Sequence, residues 1–174
     1  MRAPRQLATE EQLYPAALRI LMRRGHSVHE MRKALERRCD DEQLVRRILD
    51  RLKQEKLLDD ARYSLEFARS RARNRKQGKF RIARELRTRG VPDRHIETAL
   101  EETFAETDEG EMLRKRVQRK LKLLRGALDE RKRASLYRSL MAAGFASDAI
   151  RRALKEAAAD AAIEEDAPIL ADEI

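Results

Sequence analysis

Ten basic side chains crowd positions 69 to 89: Arg69, Arg71, Arg73, Arg75, Lys76, Lys79, Arg81, Arg84, Arg87 and Arg89, with one acid, Glu85, among them. Guanidinium groups grip phosphate and carboxylate alike through paired N–H donors, so the chemistry on offer is anion binding. At helical spacing Arg69, Arg73 and Lys76 share one stripe and Arg71 and Arg75 another. The plain alternative is a solvated helix face. One acid among ten bases cannot neutralise the run by pairing within a helix. The expectation is therefore a functional surface that holds an anionic partner.

A second cluster comprises Arg114, Lys115, Arg116, Arg119, Lys120, Lys122 and Arg125 and flanks an apolar stripe. Arg116 and Lys120 are its candidate contact residues, although the cluster can equally be the wet side of a helix. If the two clusters share a side of the molecule, they form a track. Other constellations are weaker. His26 and His29 lie one helical turn apart and Cys39 follows, but no second ligand pair is near, so no metal is expected. Asp59 and Asp60 are paired carboxylates that stand just before a helix, where capping explains them. No nucleophile, general base or phosphate loop accompanies them. The chain is expected to bind without catalysing, with no cofactor.

Aromatic residues make up 4% of the chain, and Tyr63, Phe67, Phe104 and Phe145 read as core. That leaves little for base stacking and favours contacts to a backbone or a protein. The segment from Arg81 to Leu100 could be read as a DNA-reading helix-turn-helix with Arg94, His95, Glu97 and Thr98 available to bases. The same turn recurs at Gly144 with Asp148 and Arg151 instead, so it is more economically a packing turn.

The elements that carry these residues are helices throughout. Charged residues are 41% of the chain, which suits a thin stack of helices better than one round core. The net charge is +9 overall, yet residues 1–158 hold 40 bases and 25 acids, a net of +15, while 159–174 hold six acids and no base. A single cysteine excludes an internal disulfide, no apolar run is long enough to span a membrane, and a cytoplasmic setting is expected.

In order, a mobile lead is expected over 1–12. Leu13, Ala17, Leu18 and Leu21 mark a first helix ended by Gly25; Ser27 and Glu30 form a capping-box spacing for a second; Val45, Ile48, Leu49 and Leu52 mark a third. Asp59 or Asp60 caps a fourth helix with Tyr63 and Phe67 on its inner face. Phe80, Ile82, Ala83 and Leu86 mark a fifth, stopped at Gly90, and Ile96, Ala99 and Leu100 a sixth. After an acidic linker, Glu101 to Glu111, three more helices follow, with a stop near Gly144, a last helix able to run on through Ala157 to Ile163, and an acidic tail over 159–174 expected to fray.

The pattern repeats. A shift of 54 residues lays Ile82, Leu86, Gly90, Val91, Ile96 and Leu100 onto Leu136, Leu140, Gly144, Phe145, Ile150 and Leu154 without a gap. A shift of 51 lays Met31, Leu35, Val45 and Leu49 under the second copy, with Cys39 under Gly90. Units of about 45 residues bury too little alone, so three must stack: 13–57, 58–104 and 105–158. Cys39 should be a poorer helix stop than either glycine.

At these residues the chain resembles the RecX family of bacterial regulatory proteins. The stretches that carry the resemblance are ALRILMRRGHSVHEMRKALERR, LLDDARYSLEFARSRARNRKQGKFRIARELRTRGV and KRASLYRSLMAAGFASDAIRRAL. Leu58, Asp59, Asp60, Arg62, Tyr63 and Phe67, followed by Gly78, Ile82, Leu86 and Gly90, are its most specific part. Two positions depart from the pattern: the glycine-rich loop reads Lys76-Gln77-Gly78-Lys79-Phe80, and Ser64 replaces a small apolar residue. The resemblance implies an all-α fold of three tandem three-helix repeats stacked into an elongated, curved rod. It implies a monomer that lies in the groove of the RecA nucleoprotein filament and restrains strand exchange and coprotease activity, with direct DNA contact as an additional partner. The alternative is a basic nucleic-acid-binding repeat protein that acts without RecA.

Overall fold

The computed structural model describes residues 7–124 and 128–165, and within these every regular element is a helix. The first unit holds α1 (Glu10–Leu21), α2 (Val28–Glu36) and α3 (Glu42–Gln54). The second holds α4 (Asp60–Arg75), α5 (Lys79–Thr88) and α6 (Asp93–Glu106). The third holds α7 (Glu109–Lys122), α8 (Glu130–Ala142) and α9 (Ser147–Glu165).

Local chemistry sets most helix starts. Ser27 and Glu30 close the expected capping box, with the Ser27 hydroxyl accepting from the Glu30 amide at 3.0 Å and the Glu30 carboxylate accepting from the Ser27 amide at 3.3 Å. Asp41, Asp59, Asp108 and Asp129 each accept an amide of the helix they precede. Three expected boundaries are corrected. The lead is not mobile through residue 12: the Leu7 amide donates to the Arg38 carbonyl at 2.7 Å, and α1 opens at Glu10. That helix stops at Leu21, before Gly25, and Gly25 is not left-handed. The acidic linker shrinks to Thr107 and Asp108, because α6 runs to Glu106 and α7 starts at Glu109. At the far end α9 continues to Glu165, so the segment from 159 begins as helix, and residues 166–174 lie outside the described residues.

Three apolar clusters follow one another along the chain. Leu13, Met31, Leu35, Ile48, Leu49 and Leu52 centre the first; Ala68, Ala72, Ile82, Leu86 and Ile96 the second; Leu113, Val117, Leu140, Phe145 and Ile150 the third. In α4 the inner stripe is Ser64, Ala68 and Ala72, with Tyr63 and Phe67 half-buried beside it rather than on it. Small side chains every fourth residue let α4 lie close along α6, the most extensive helix contact in the molecule. Ser64 suits this position because its hydroxyl, fully buried, reaches the Ala61 and His95 carbonyls at 2.9 and 3.1 Å and ties the two helices. Phe104 packs against both the second and third clusters and so joins them.

The two joints between units are built alike. The amide that opens α2, Val28, donates to the Asp60 carboxylate at 2.9 Å, and the one that opens α5, Lys79, donates to Glu109 at 2.8 Å. In each case the first helix of the next unit caps the middle helix of the one before. The turn after each following middle helix completes the joint: the Ser27 hydroxyl donates to the Arg89 carbonyl at 2.5 Å, and the Gly78 and Phe80 amides donate to the Ala143 and Gly144 carbonyls at 2.9 and 3.1 Å. Burial raises both Asp60 and Glu109 above the ordinary carboxylate range, against the opposing pull of the amides they accept. In the first unit the corresponding turn meets the N-terminal segment instead, through Leu7 and Arg38. Cys39, which stands at the position of Gly90 and Gly144, is not left-handed, and its side chain, 3% exposed, belongs to the core.

Glu30 is the polar centre of the first joint. Arg24 and Arg89 pair with it at 3.1 and 2.6 Å, and the Tyr63 hydroxyl donates to it at 3.3 Å. Burial alone would raise its carboxyl; Arg24, the Ser27 amide and Arg89 outweigh that and hold it below the ordinary range. A lowered folded-state value means that its stabilisation is present at neutral pH and is lost as pH falls through that value. Glu30→Gln is expected to cost about 2 kcal/mol at pH 7 in urea unfolding, with the variant and the parent converging in acid.

Candidate partner-binding surface

The basic run lies along α4 and α5, and the structure corrects the expectation that its charge is unneutralised. Acids from outside the run reach it. Glu106 of α6 pairs with both Arg69 and Arg73, at 2.5 and 2.9 Å, and Asp93 pairs with Arg87 at 2.7 Å. Glu85 takes Arg71 at 3.2 Å and Arg81 at 2.9 Å, and Glu30 takes Arg89. Arg71 and Arg89 also lie against the Phe67 ring, at 4.6 and 5.0 Å from its centre, and Arg81 reaches the Ala142 carbonyl across the second joint. These six arginines hold helices and units together.

What remains for a partner is narrower. Among the described residues Arg75, Lys76, Lys79, Arg84, Arg116 and Lys120 form no ion pair. Arg75, Lys76, Lys79 and Arg84 are exposed, and Lys79 sends its ammonium over the Phe104 ring at 5.2 Å. Lys76 ends α4 in the left-handed conformation, and its carbonyl accepts from Arg116 at 3.2 Å. This bond brings the two basic clusters together. Lys76, Arg116 and Arg119 line one cleft of about 450 Å³ together with Glu106, Asp108 and Glu111. Burial, with Arg119 and Arg81 nearby, lowers the Arg116 guanidinium from its ordinary value, and its Nε has no partner. Lys120 follows Arg116 by one turn of α7; Arg114 and Lys115 are tied to Asp108 and Glu111; Arg125 lies outside the described residues.

Sequence reasoning missed three residues. Phe80 reads as an inner marker of α5, but it sits two residues before Ile82, roughly 200° around the helix, and is 66% exposed beside Arg84. Lys33 and Arg138 were legible in the repeat itself. The shifts of 51 and 54 residues that align the cores also align Lys33, Arg84 and Arg138. Each is an exposed base on its unit's middle helix, and none has an ion-pair partner among the described residues.

The carboxylates and histidines take structural places. Asp59 caps α4 through the Ala61 and Arg62 amides at 2.8 and 3.1 Å, while Asp60 serves α2. The His26 ring nitrogen lies 2.9 Å from the Arg24 carbonyl, and burial lowers its affinity for a proton. Among the described residues no group of three His, Cys, Asp or Glu is placed to hold a metal ion, and no helix is long and apolar enough to cross a membrane. The His95 carbonyl of α6 is engaged by Ser64 of α4, so this helix docks within its own unit.

Known proteins match this arrangement along most of its length. Residues 59–100 match the family model for the RecX second three-helix domain. The chain is 39% identical over 160 residues to a regulatory protein RecX of Halorhodospira halophila, covering 91% of this chain and 93% of that one. It is 34% identical over 133 residues to a regulatory protein RecX of Prosthecochloris aestuarii, covering 76% and 85%. A crystal structure of RecX from Lactobacillus salivarius superposes with a TM-score of 0.69 at 22% identity, covering 84% of this chain and 95% of that one. A second crystal structure of a regulatory protein RecX gives 0.70 at 23% identity, covering 82% and 71%. The helical repeat rod is thus the fold of those structures, and by its relatives the chain belongs to the RecX family of regulatory proteins.

Proposed function

We propose that this protein is a non-catalytic, cytoplasmic regulator that lies along the RecA nucleoprotein filament and restrains strand exchange and coprotease activity. The observation that carries the reading is the row Lys33, Arg84 and Arg138, one unpaired exposed base at the same position of each unit. A filament presents the same surface again and again, and a partner that meets successive copies needs the same contact repeated along its own length. Around the second joint, Arg75, Lys76, Arg116 and Lys120 add positive charge that forms no ion pair within the described chain, and Lys79 adds to it beside Glu109. Phe80 supplies an apolar anchor beside Arg84, as a protein interface requires at its centre.

The test is RecA-driven strand exchange between circular single-stranded DNA and linear duplex. The protein at well below one copy per RecA should slow product formation, and Lys33→Glu/Arg84→Glu/Arg138→Glu should not. Unchanged exchange with the parent protein would sink the reading. Phe80→Ala should weaken filament binding about tenfold while thermal stability stays within about 0.5 kcal/mol, because the ring is mostly in solvent.

A further inference from the structure

The first unit carries a basic groove apart from the surface above. Two shallow depressions between α1 and α2 merge along Ile20, Arg23 and Arg38, and together bring Arg19, Arg23, Arg24, Arg37 and Arg38 around one floor. No acid lines either depression. Arg24 is committed to Glu30, which Arg89 also holds, and Arg38 donates to the Ala34 carbonyl at 2.5 Å. Arg19, Arg23 and Arg37 are exposed and form no ion pair among the described residues.

A base at a helix C-terminus complements the dipole, and Arg19 lies in the last turn of α1, Arg23 just past its end, and Arg37 at the C-cap of α2. The dipoles do not account for an acid-free floor shared by these two helix ends. The mutual repulsion of the three guanidiniums is uncompensated inside the chain, so an anion from outside is the natural counter-charge. No Phe, Tyr or Trp lines the groove and His26 is its one ring, so it lacks the large apolar anchor that a protein hot spot needs. Phosphate asks for less: charge, and planar forks of N–H donors. From Ala16 to Ile20 the floor follows α1 for roughly 6 Å, the axial rise of about two nucleotides of one strand, and it continues past the helix end to Arg23.

We propose that this groove binds the phosphate backbone of a nucleic-acid strand, through Arg19, Arg23 and Arg37, independently of any RecA contact. The site reads no sequence, since nothing in it is placed to meet base edges.

The experiment is fluorescence anisotropy of a labelled thirty-nucleotide oligo(dT), without RecA, over a range of NaCl concentrations. Arg19→Gln/Arg23→Gln/Arg37→Gln should lower affinity at 50 mM NaCl by roughly tenfold or more and flatten the log–log salt slope by about 2, at ~0.7 for each phosphate no longer neutralised. Lys33→Gln/Arg84→Gln/Arg138→Gln should keep most of the affinity, which separates this groove from the row proposed for the filament. Polyglutamate of equal charge should compete poorly, and inorganic phosphate should compete only at concentrations that screen. Affinity and slope unchanged in the Arg19, Arg23 and Arg37 variant would overturn the inference, as would polyglutamate competing as well as unlabelled oligo(dT). The three arginines are exposed and bear no core contact, so loss of fold does not confound the comparison.

Discussion

Gly144→Ala is expected to cost about 3 kcal/mol or more. Gly144 sits at φ +94°, a backbone region that an L side chain occupies only at a cost of about 1 kcal/mol. A Cβ there would also run into the Arg81 backbone, meeting its amide nitrogen and, at 2.9 Å, its Cα. Backbone cannot rotate away as a side-chain tip can. Relief would require the second joint to open, and with it the bonds from the Gly78 and Phe80 amides to the Ala143 and Gly144 carbonyls. Urea unfolding of the variant should show a lower midpoint. Gly25→Ala is the control: the added methyl would meet only the Tyr63 ring, at 3.3 Å, and the backbone there is ordinary, so a change within about 1 kcal/mol is expected.

Reversing the charge of Lys33, Arg84 and Arg138 together is expected to weaken binding to the RecA filament by about 100-fold. Each contact is exposed and worth up to about 1 kcal/mol, and reversal turns attraction into repulsion. The three residues belong to different units and share no partner, so their effects should add on a logarithmic scale, each single reversal costing roughly fivefold. If one substitution carried the whole effect, the row would not be acting as a row. Raising the salt concentration should erase most of the difference, because contacts at the surface are screened within about 10 Å at 0.1 M.

Much of this fold is legible in the sequence. Periodic apolar residues, the capping box at Ser27 and Glu30, and the glycines at 90 and 144 are local signals, and local signals survive into the structure as helices and turns. The 54-residue shift that aligns Gly90 with Gly144 also aligns Arg89 with Ala143, whose carbonyls accept across the two joints. What sequence could not show is where distant charges meet. Glu106 lies 37 residues from Arg69, and Glu30 lies 59 from Arg89; only the packing of α6 on α4 and of one unit on the next brings them together. For this reason the run from Arg69 to Arg89 reads as free charge in sequence and is largely ion-paired in the structure. Asp60 is a similar case. Its place before a helix suggests a local cap, yet Asp59 does that work and Asp60 caps a helix of the preceding unit, 32 residues earlier.

The joints also say why the units come as an array. A middle helix in isolation would leave its first amide unpaired, and the carboxylate that satisfies it arrives only with the next unit. The rod that results holds its outward bases in fixed relation to one another. Contacts repeated at the spacing of the units then reinforce one another without further ordering cost, provided that the partner repeats too.

The most direct test is an equilibrium comparison, at one salt concentration, of this protein binding to preassembled RecA filaments on single-stranded DNA and to the same DNA bare. The account predicts at least tenfold tighter binding to the filament, with the preference lost in the Lys33, Arg84 and Arg138 charge-reversal variant. Equal or tighter binding to bare DNA would contradict it.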